Sequence, residues 1–141
     1  MNLQFQIAGT EDIEAIFIQA KQLIDAYEDI TSIDYEKVLA WVKRKITEHT
    51  CEYRCVLWNG EKCAYYRLCS DGELDDLYVL PAYRNHGIGS QILGKCIAES
   101  KENLYLYVFS RNLRAISFYE RHGFSVQKTV GNTRLIMARK G

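Results

Sequence analysis

The chain has 141 residues, of which 48% are hydrophobic, so it is long enough for one domain with its own core and too short for two. Lysine plus arginine and aspartate plus glutamate number 18 each, so no net charge would draw the protein to nucleic acid or to an anionic membrane. We therefore expect a single domain over residues 1–141 with neither of these as a partner.

The amino terminus and the cysteines bear on the cellular compartment. The first residues lack the charged start and the long apolar stretch of a signal peptide, and no apolar run is long enough to span a bilayer. The five cysteines, an odd number, favour reduced thiols over a disulfide framework. Four of them fall on apparent strands without a paired Cys-x-x-Cys spacing, which favours buried thiols over zinc: Cys51, Cys55, Cys63 and Cys69. We expect a cytoplasmic protein without a metal.

The first half of the chain is predicted to form one strand and two helices. Alternating apolar residues predict a strand over residues 2–8. Thr10 is the predicted N-cap of a first helix that runs to about residue 28, and Asp34 would cap a second helix. Apolar residues recur at helical spacing in both segments, and the polar stretch 28–32 between them is a predicted loop.

The second half begins with short β-rich runs. Residues 53–58, 63–68 and 74–80 are predicted antiparallel strands, because Asn59-Gly60 and Asp71-Gly72 favour hairpin turns. The elements predicted after them are a helix from Gly87 to about Lys101, a strand over 104–109, a helix from Asn112 to His122 and a terminal pair of strands.

One stretch of the second half points to a ligand. Residues 77–90 read as an apolar strand, a turn with Gly87 and Gly89, and the start of a helix. Glycine lets the backbone approach a ligand, and a helix N-terminus offers unpaired N–H groups and the positive end of its dipole, so the turn suits a phosphate group. Taken alone it does not specify one, because surface turns also use glycine and the third glycine of the dinucleotide fingerprint is absent.

A second motif follows downstream and gives the first one a context. It consists of Asn112, Ala115, Phe118, Tyr119, Gly123 and Phe124. Together with Arg84, Gly87 and Gly89, it resembles the GCN5-related N-acetyltransferase (GNAT) superfamily, whose turn reads Arg/Gln-x-x-Gly-x-Gly/Ala and whose later signature reads Asn-x-x-Ala-x-x-Phe-Tyr-x-x-x-Gly-Phe. The resemblance is specific over residues 72–124.

The order of the predicted elements is also that of the GNAT fold. The resemblance therefore implies a mixed α/β domain of the α+β type, with a mostly antiparallel central sheet of six to seven strands and about four flanking helices. It further implies a cofactor cleft between the fourth and fifth strands, which run parallel but splay apart.

The resemblance implies acetyl-CoA as the co-substrate. The backbone of three strand residues would pair with the pantetheine arm: Leu77, Tyr78 and Val79. The pyrophosphate would lie on the turn that follows: Arg84, Asn85, His86, Gly87, Ile88, Gly89 and Ser90. Family members frequently have glycine and lysine at positions 85 and 86, so one cation near the phosphates is missing unless His86 is protonated. Asn112 either contacts the pantetheine arm, as its family counterpart does, or caps its helix.

Three residues are the candidates for proton transfer. The resemblance makes Tyr119 the general acid that protonates the leaving thiolate, and the alternative for it is a core tyrosine. An acceptor ammonium must lose a proton, and Glu73 and Asp75 lie where relatives carry a glutamate. Period-two alternation predicts one face with Glu73, Asp75, Leu77 and Val79 and an opposite face with Leu74, Asp76, Tyr78 and Leu80. A solvated acidic strand start is the alternative for both carboxylates.

The acceptor is predicted from the parts that the resemblance covers least. The loop between the first two helices offers Tyr27, Glu28, Asp29 and Asp34, which would favour a small cationic amine such as a polyamine or an amino sugar. The strand over 104–109 lacks the glutamate of ribosomal-protein N-acetyltransferases, which counts against a peptide N-terminus.

The sequence thus predicts an acetyl-CoA-dependent N-acetyltransferase, acting as a monomer or homodimer on a primary amine in a ternary complex. Three alternatives stay open at this point. They are a non-catalytic module that binds or senses CoA, a protein lysine or N-terminal acetyltransferase, and a nucleotide-binding fragment of Rossmann type. The tyrosine helix and the antiparallel strands count against the last of these.

Overall fold

The structure, a computed structural model, describes residues 2–140, and its elements follow the predicted order. The strands are β1 (Leu3–Ile7), β2 (Tyr53–Trp58), β3 (Glu61–Leu68), β4 (Leu74–Val79), β5 (Leu104–Phe109), β6 (Ser125–Val130) and β7 (Arg134–Arg139). The helices are α1 (Ile13–Tyr27), α2 (Tyr35–Glu48), α3 (Ile88–Glu99) and α4 (Leu113–Arg121). No helix within residues 2–140 has the length and apolar character needed to cross a membrane.

The seven strands form two antiparallel sheets. The first has the order β1-β2-β3-β4 and the second the order β5-β7-β6. One parallel bridge, between Glu73 and Tyr105, joins the two sheets, and the Tyr105 amide donates a hydrogen bond to the Gly72 carbonyl at 3.1 Å. Beyond this bridge the described residues of β4 and β5 form no further pairs, which is the predicted splay.

Two apolar cores lie on opposite faces of the sheets. The core beneath α1 and α2 includes the fully buried Ile16, Ile46 and Tyr53. The core beneath α3 and α4 includes the fully buried Ile92 and Met137. Burial of a large apolar side chain stabilises a fold by about 1.5–3 kcal/mol, so these two layers hold the helices against the strands.

The start of α1 differs from the prediction. Thr10 begins a short 3-10 turn, and Asp12, not Thr10, is the N-cap of α1. The buried Asp12 carboxylate accepts hydrogen bonds from the Gly9 amide at 2.9 Å, from Lys62 Nζ at 2.7 Å and from the Tyr65 hydroxyl at 2.9 Å. Burial alone would raise its pKa, but these donors together lower it. At α2 the prediction is confirmed, because the Asp34 carboxylate accepts from the Lys37 amide at 3.3 Å.

The predicted faces of β4 are wrong because of a β-bulge at Asp76. Asp76 has a φ of +69°, and the pairing with β3 slips there, from Arg67 opposite Asp75 to Tyr66 opposite Leu77. An extra residue in one strand reverses the faces of the residues beyond it.

The side chains on either side of the bulge show this reversal. Leu74, Leu77 and Val79 pack on the core beneath α3 and α4, whereas Tyr78 and Leu80 pack on the core beneath α1 and α2. Glu73 and Asp75 still share a face, but with Tyr78 and Leu80 rather than with Leu77 and Val79.

The cysteines agree with the prediction in part. Cys55 and Cys63 are buried, as expected, and Cys69 is half-buried. Cys51 is exposed because it lies in the 3-10 turn Thr50–Glu52 that precedes β2 rather than on a strand.

Candidate active site

The splay of β4 and β5 leaves a slot between them. On its far side β4 pairs with β3, where Tyr78 is opposite Tyr65 and Val79 is opposite Ala64. Among the described residues no strand pairs with the edge of β4 that faces β5 along Leu77, Tyr78 and Val79, and on this stretch the Val79 carbonyl accepts a side-chain hydrogen bond from Arg84 Nε. Such an edge can add an extended ligand as if it were another strand. The ring of Tyr27 stacks on Phe109 at a centroid distance of 6.4 Å, and this pair lies where β5 ends.

The predicted phosphate turn connects β4 to α3. A 3-10 turn over Pro81–Tyr83 is followed by Arg84 in extended conformation, by Asn85 with a φ of +66° and by Gly87 with a φ of +78°. Gly87 is the N-cap of α3, so the first amides of α3, at Ile88, Gly89 and Ser90, start the helix without an intrahelical acceptor. The buried Ile88 side chain packs in the core, which leaves only its backbone to a ligand.

The two glycines of this turn have different roles. Gly87 adopts a left-handed conformation, and a Cβ built there would meet no protein atom within 4 Å. A Cβ on Gly89 would come within 3.3 Å of Phe118 Cζ, so Gly89 lets α3 pack closely against α4. The sequence predicted that both glycines admit a ligand; the structure adds a packing requirement for Gly89 and a conformational one for Gly87.

The turn carries two basic side chains, Arg84 and His86. Arg84 Nε donates a hydrogen bond to the Val79 carbonyl at 3.0 Å, which ties the turn back to the end of β4. The His86 ring lies 5.2 Å from the Trp58 ring, and its Nδ1 is 3.2 Å from the Tyr83 carbonyl oxygen. Both side chains are exposed at the turn, as a phosphate ligand would require.

Four residues of the second motif lie on α4 or at its start, and the sequence predicted coenzyme contacts for two of them, Asn112 and Tyr119. Asn112 caps α4, because its Oδ1 accepts a hydrogen bond from the Ala115 amide at 3.2 Å. Tyr119 is half-buried between the rings of Phe118 and Phe124, at centroid distances of 5.2 and 5.5 Å. Burial raises the pKa of the Tyr119 phenol, and the negative charge of Asp76 raises it further, so the phenol is protonated at neutral pH.

The acidic residues of β4 lie in a charge network that the sequence did not predict. Lys45 Nζ of α2 lies 3.2 Å from an oxygen of Asp75 and 3.2 Å from Asp76 Oδ2. Arg67 of β3 donates to Asp75 at 2.7 Å. The hydroxyls of two tyrosines donate to Asp76, both at 2.6 Å: Tyr53 and Tyr78.

This charge network determines which of the three carboxylates is free to accept a proton from an acceptor. Burial alone would lower the pKa of Lys45, but Asp76 and Asp75 together raise it, so Lys45 remains an ammonium ion. Asp75 and Asp76 therefore both have a cation within ion-pair distance, while burial and the charge of Asp76 still raise the pKa of Asp75. No sequence signal could reveal this, because Lys45 and Asp75 are 30 residues apart and meet only when α2 packs on the sheet.

Glu73 is the carboxylate that the network leaves free. Within residues 2–140 no cation lies within ion-pair distance of Glu73. Burial raises its pKa, and the nearby charges of Asp75 and Asp71 raise it further. A half-buried carboxylate with a raised pKa suits a general base near neutral pH.

Glu73 also belongs to a group of possible metal ligands. The ligand atoms of Cys69, Asp71 and Glu73 lie within 4.8 Å of one another, and this is the one such group in the described part of the chain. Asp71 already accepts hydrogen bonds from the Tyr105 hydroxyl at 2.7 Å and from the Glu73 amide at 3.0 Å. We assign no metal to this group.

Comparison with known proteins agrees with this geometry. The acetyltransferase (GNAT) family model matches residues 17–124. This match assigns the class of protein, an acyltransferase that uses a coenzyme A thioester. The chain belongs to the GNAT acetyltransferase family, and its co-substrate is acetyl-CoA.

Solved structures share the fold over the whole chain. The PaiA N-acetyltransferase from Thermoplasma acidophilum, in complex with coenzyme A, is 21% identical with a TM-score of 0.74, and the match covers 100% of both chains. An acetyltransferase from Thermus thermophilus is 19% identical with a TM-score of 0.74, over 99% of this chain and 97% of that one. Naa50 from Arabidopsis thaliana, in complex with the bisubstrate analogue CoA-Ac-MVNAL, is 18% identical with a TM-score of 0.62, over 100% of both chains. These likenesses confirm the mixed α/β GNAT fold.

Proposed function

We propose that the protein transfers the acetyl group of acetyl-CoA to a primary amine of a small cationic molecule, by direct transfer in a ternary complex. The observation that carries this proposal is the placement of Glu73 and Tyr119. Glu73 shares the sheet face of α1 and α2, while Tyr119 comes from α4 in the core on the other face. The slot opens beyond the Glu73–Tyr105 bridge, so in this proposal the base lies at the start of the slot and the acid comes from the opposite face of the sheet.

The coenzyme is held mostly by backbone groups in this proposal. The free edge of Leu77, Tyr78 and Val79 pairs with the amides of the pantetheine arm. The turn from Arg84 to Ser90 takes the pyrophosphate, with the first amides of α3, at Ile88, Gly89 and Ser90, as donors. Asn112, whose side chain caps α4, borders the same region.

Proton transfers at Glu73 and at Tyr119 accompany the acetyl transfer. Glu73 accepts a proton from the acceptor ammonium, directly or through water, and this frees the nitrogen lone pair. The nitrogen then forms a bond to the thioester carbonyl carbon and the carbon–sulfur bond breaks. Tyr119 donates its proton to the leaving thiolate, whose ordinary pKa is about 8.5, and the second proton that the nitrogen loses as the amide forms restores the phenol. Holding the amine and the thioester together supplies the proximity that the reaction needs.

Asp75 acts through Glu73 in this scheme. Its oxygens lie beside Lys45 and Arg67, so it does not attract the acceptor as a free anion. Its charge is, after burial, the next largest cause of the raised pKa of Glu73. Asp75 thereby brings the pKa of Glu73 closer to neutral pH.

A covalent acetyl-cysteine intermediate has little support. Burial raises the pKa of Cys69 to about 11 and that of Cys96 to about 12. Both are thiols at neutral pH, and the thiol is a poor nucleophile compared with the thiolate. This favours direct attack by the amine.

Aromatic rings near the slot support a cationic acceptor. Tyr107 on β5 is 44% exposed, and the Arg134 guanidinium lies 5.3 Å from the centre of its ring. The Tyr107 ring can thus hold a cation, and an ammonium-bearing acceptor would take the place of the Arg134 guanidinium on it. The second candidate is a peptide N-terminus, because Naa50, which has the same fold, was captured with an analogue that carries a peptide.

A free-thiol release assay with acetyl-CoA and a panel of amines tests the proposal. The panel contains polyamines, amino sugars, lysine derivatives and short peptides with free N-termini. We expect thiol release with at least one small cationic amine and a lower kcat/KM for the peptides. Preference for the peptides would overturn the acceptor class. Binding of acetyl-CoA without release for any amine would instead indicate a non-catalytic module.

A further inference from the structure

The turn that receives the coenzyme phosphates is poor in cations. Arg84 is its one arginine, and Arg84 Nε is engaged by the Val79 carbonyl. His86 stands where relatives frequently carry lysine, and its ring rests on Trp58. A neutral histidine supplies no charge, so the turn by itself offers one fixed positive charge to a pyrophosphate.

A cation from another element reaches the same turn. Arg114 of α4 donates a hydrogen bond from Nη2 to Asn85 Oδ1 at 3.0 Å. Asn85 and Arg114 are 29 residues apart and belong to the two separate motifs of the sequence. The packing of α4 against the start of α3, where Phe118 meets Gly89, brings them together.

The position of Arg114 is unfavourable for α4 itself. Arg114 is the second residue of α4, and a cation near the N-terminus of a helix is repelled by the positive end of the dipole. The first turn of α4 contains no acidic residue, and no carboxylate within residues 2–140 forms an ion pair with Arg114. A bound anion would remove this unfavourable charge.

Asn85 holds the guanidinium without neutralising it. Its left-handed φ of +66° is a conformation that asparagine adopts more readily than most residues. Its amide oxygen occupies one donor of the guanidinium, which has five, so the others remain available. A carboxylate at this position would hold Arg114 equally well but would cancel its charge.

We propose that Arg114 binds a phosphate oxygen of acetyl-CoA and that Asn85 is the residue that positions it. Arg114 supplies from α4 the cation that the turn lacks at His86. The inference rests on acetyl-CoA as the co-substrate of this chain. The pyrophosphate and the 3′-phosphate of acetyl-CoA both present anionic oxygens that an arginine can bind, and the test distinguishes between them.

The test compares Arg114→Met with Arg121→Met, which removes an exposed arginine from the last turn of the same helix. Calorimetry should show acetyl-CoA binding weakened about tenfold in Arg114→Met and unchanged in Arg121→Met, because a charge-assisted hydrogen bond is lost only in the first. Raising the salt concentration should weaken binding less in Arg114→Met than in the parent. The KM for acetyl-pantetheine, which lacks the pyrophosphate and the 3′-phosphate, should stay the same.

Further ligands and variants locate the contact. If acetyl-dephospho-CoA shows the same tenfold loss, Arg114 binds the pyrophosphate; if the loss disappears, it binds the 3′-phosphate. Asn85→Asp should weaken acetyl-CoA binding about as much as Arg114→Met, and Asn85→Gly, which keeps the backbone conformation, should weaken it less. Equal affinity of parent and Arg114→Met for acetyl-CoA, or an equal loss with acetyl-pantetheine, would overturn the inference. A parent protein that binds no acetyl-CoA would overturn the proposed function with it.

Discussion

Glu73 and Tyr105 are partners in the parallel bridge that joins β4 to β5, and the two strands separate directly after it. The base proposed for the reaction therefore lies at the closed end of the slot. Asp76, three residues later, forms the bulge and contributes to the raised pKa of Tyr119. The bulge thus lies three residues beyond the proposed base and within electrostatic reach of the proposed acid.

The role of Tyr119 can be tested by removing its hydroxyl. We expect Tyr119→Phe to lower kcat about 10²-fold while the calorimetric Kd for acetyl-CoA stays nearly the same, because the ring remains and only the proton donor is lost. Tyr66→Phe, which changes another buried tyrosine of the same core, is the control and should keep full turnover. Unchanged turnover in Tyr119→Phe would show that water or another group protonates the thiolate.

The role of Glu73 predicts a change in the pH profile. Glu73 must be deprotonated to act as a base, so kcat/KM of the parent should fall as the pH drops through its raised pKa. Glu73→Gln should lower kcat/KM about 10²-fold near neutral pH and recover in part at high pH, where the acceptor is a free amine. Glu48→Gln, at an exposed position of α2, should behave like the parent. A Glu73→Gln profile that matches the parent would place the base elsewhere.

The same raised pKa has a consequence for stability. A carboxyl group whose pKa is higher in the folded state favours folding when protonated, so its ionised form destabilises the fold as the pH rises above the ordinary value. We expect Glu73→Gln to melt at a higher temperature than the parent near neutral pH, with the difference lost near pH ~4. A lower melting temperature at neutral pH would contradict the direction of the shift.

Lys45 is expected to matter for stability more than its single charge suggests. Lys45→Met leaves Asp75 and Asp76 without their shared cation, and breaking such a pair costs about 3 kcal/mol when the groups are mostly buried. The control is Lys43→Met, which removes an exposed pair with Glu14 and should cost less than about 1 kcal/mol. Urea denaturation measures both. Equal losses in the two variants would mean that the Lys45 network contributes no more than a surface pair.

Substitutions at Gly87 can separate the effect of backbone conformation on stability from the effect of a side chain on the space for acetyl-CoA. A residue other than glycine at a φ of +78° costs about 1–2 kcal/mol, least for asparagine and most for a β-branched residue. We expect Gly87→Val to lose both stability and acetyl-CoA binding, and Gly87→Asn to lose less stability than Gly87→Val but still bind acetyl-CoA more weakly than the parent. Parent-like binding by Gly87→Asn would show that the glycine serves the backbone alone.

The sequence predicted the elements whose signals are local. Asn59-Gly60 and Asp71-Gly72 marked the hairpins, Asn112 marked the start of α4, and the order of strands and helices followed. The bulge at Asp76 was missed, because aspartate in a β-rich run gives no sign of a left-handed backbone. The faces of Leu77 and Val79 were consequently assigned to the wrong side.

The contacts that complete the site could not be predicted for a different reason. The pairing of Lys45 with Asp75 and Asp76, and that of Arg114 with Asn85, join residues from separate elements. These contacts depend on how helices pack against the sheet and on side-chain geometry. Neither can be deduced from the spacing of residues along the chain. The sequence therefore named the acids on β4, and only the structure shows that Glu73 alone of the three lacks an ion-pair partner among residues 2–140.

The most direct test of the account follows free thiol and acetylated amine together, with acetyl-CoA and a small cationic amine as varied substrates. The account predicts that thiol appears only when the amine is present, in a one-to-one ratio with the acetylated product. Initial-rate lines should intersect, as a ternary complex requires. A burst of thiol before any amine is added would contradict direct transfer, and the absence of thiol release with every amine despite acetyl-CoA binding would contradict the catalytic function itself.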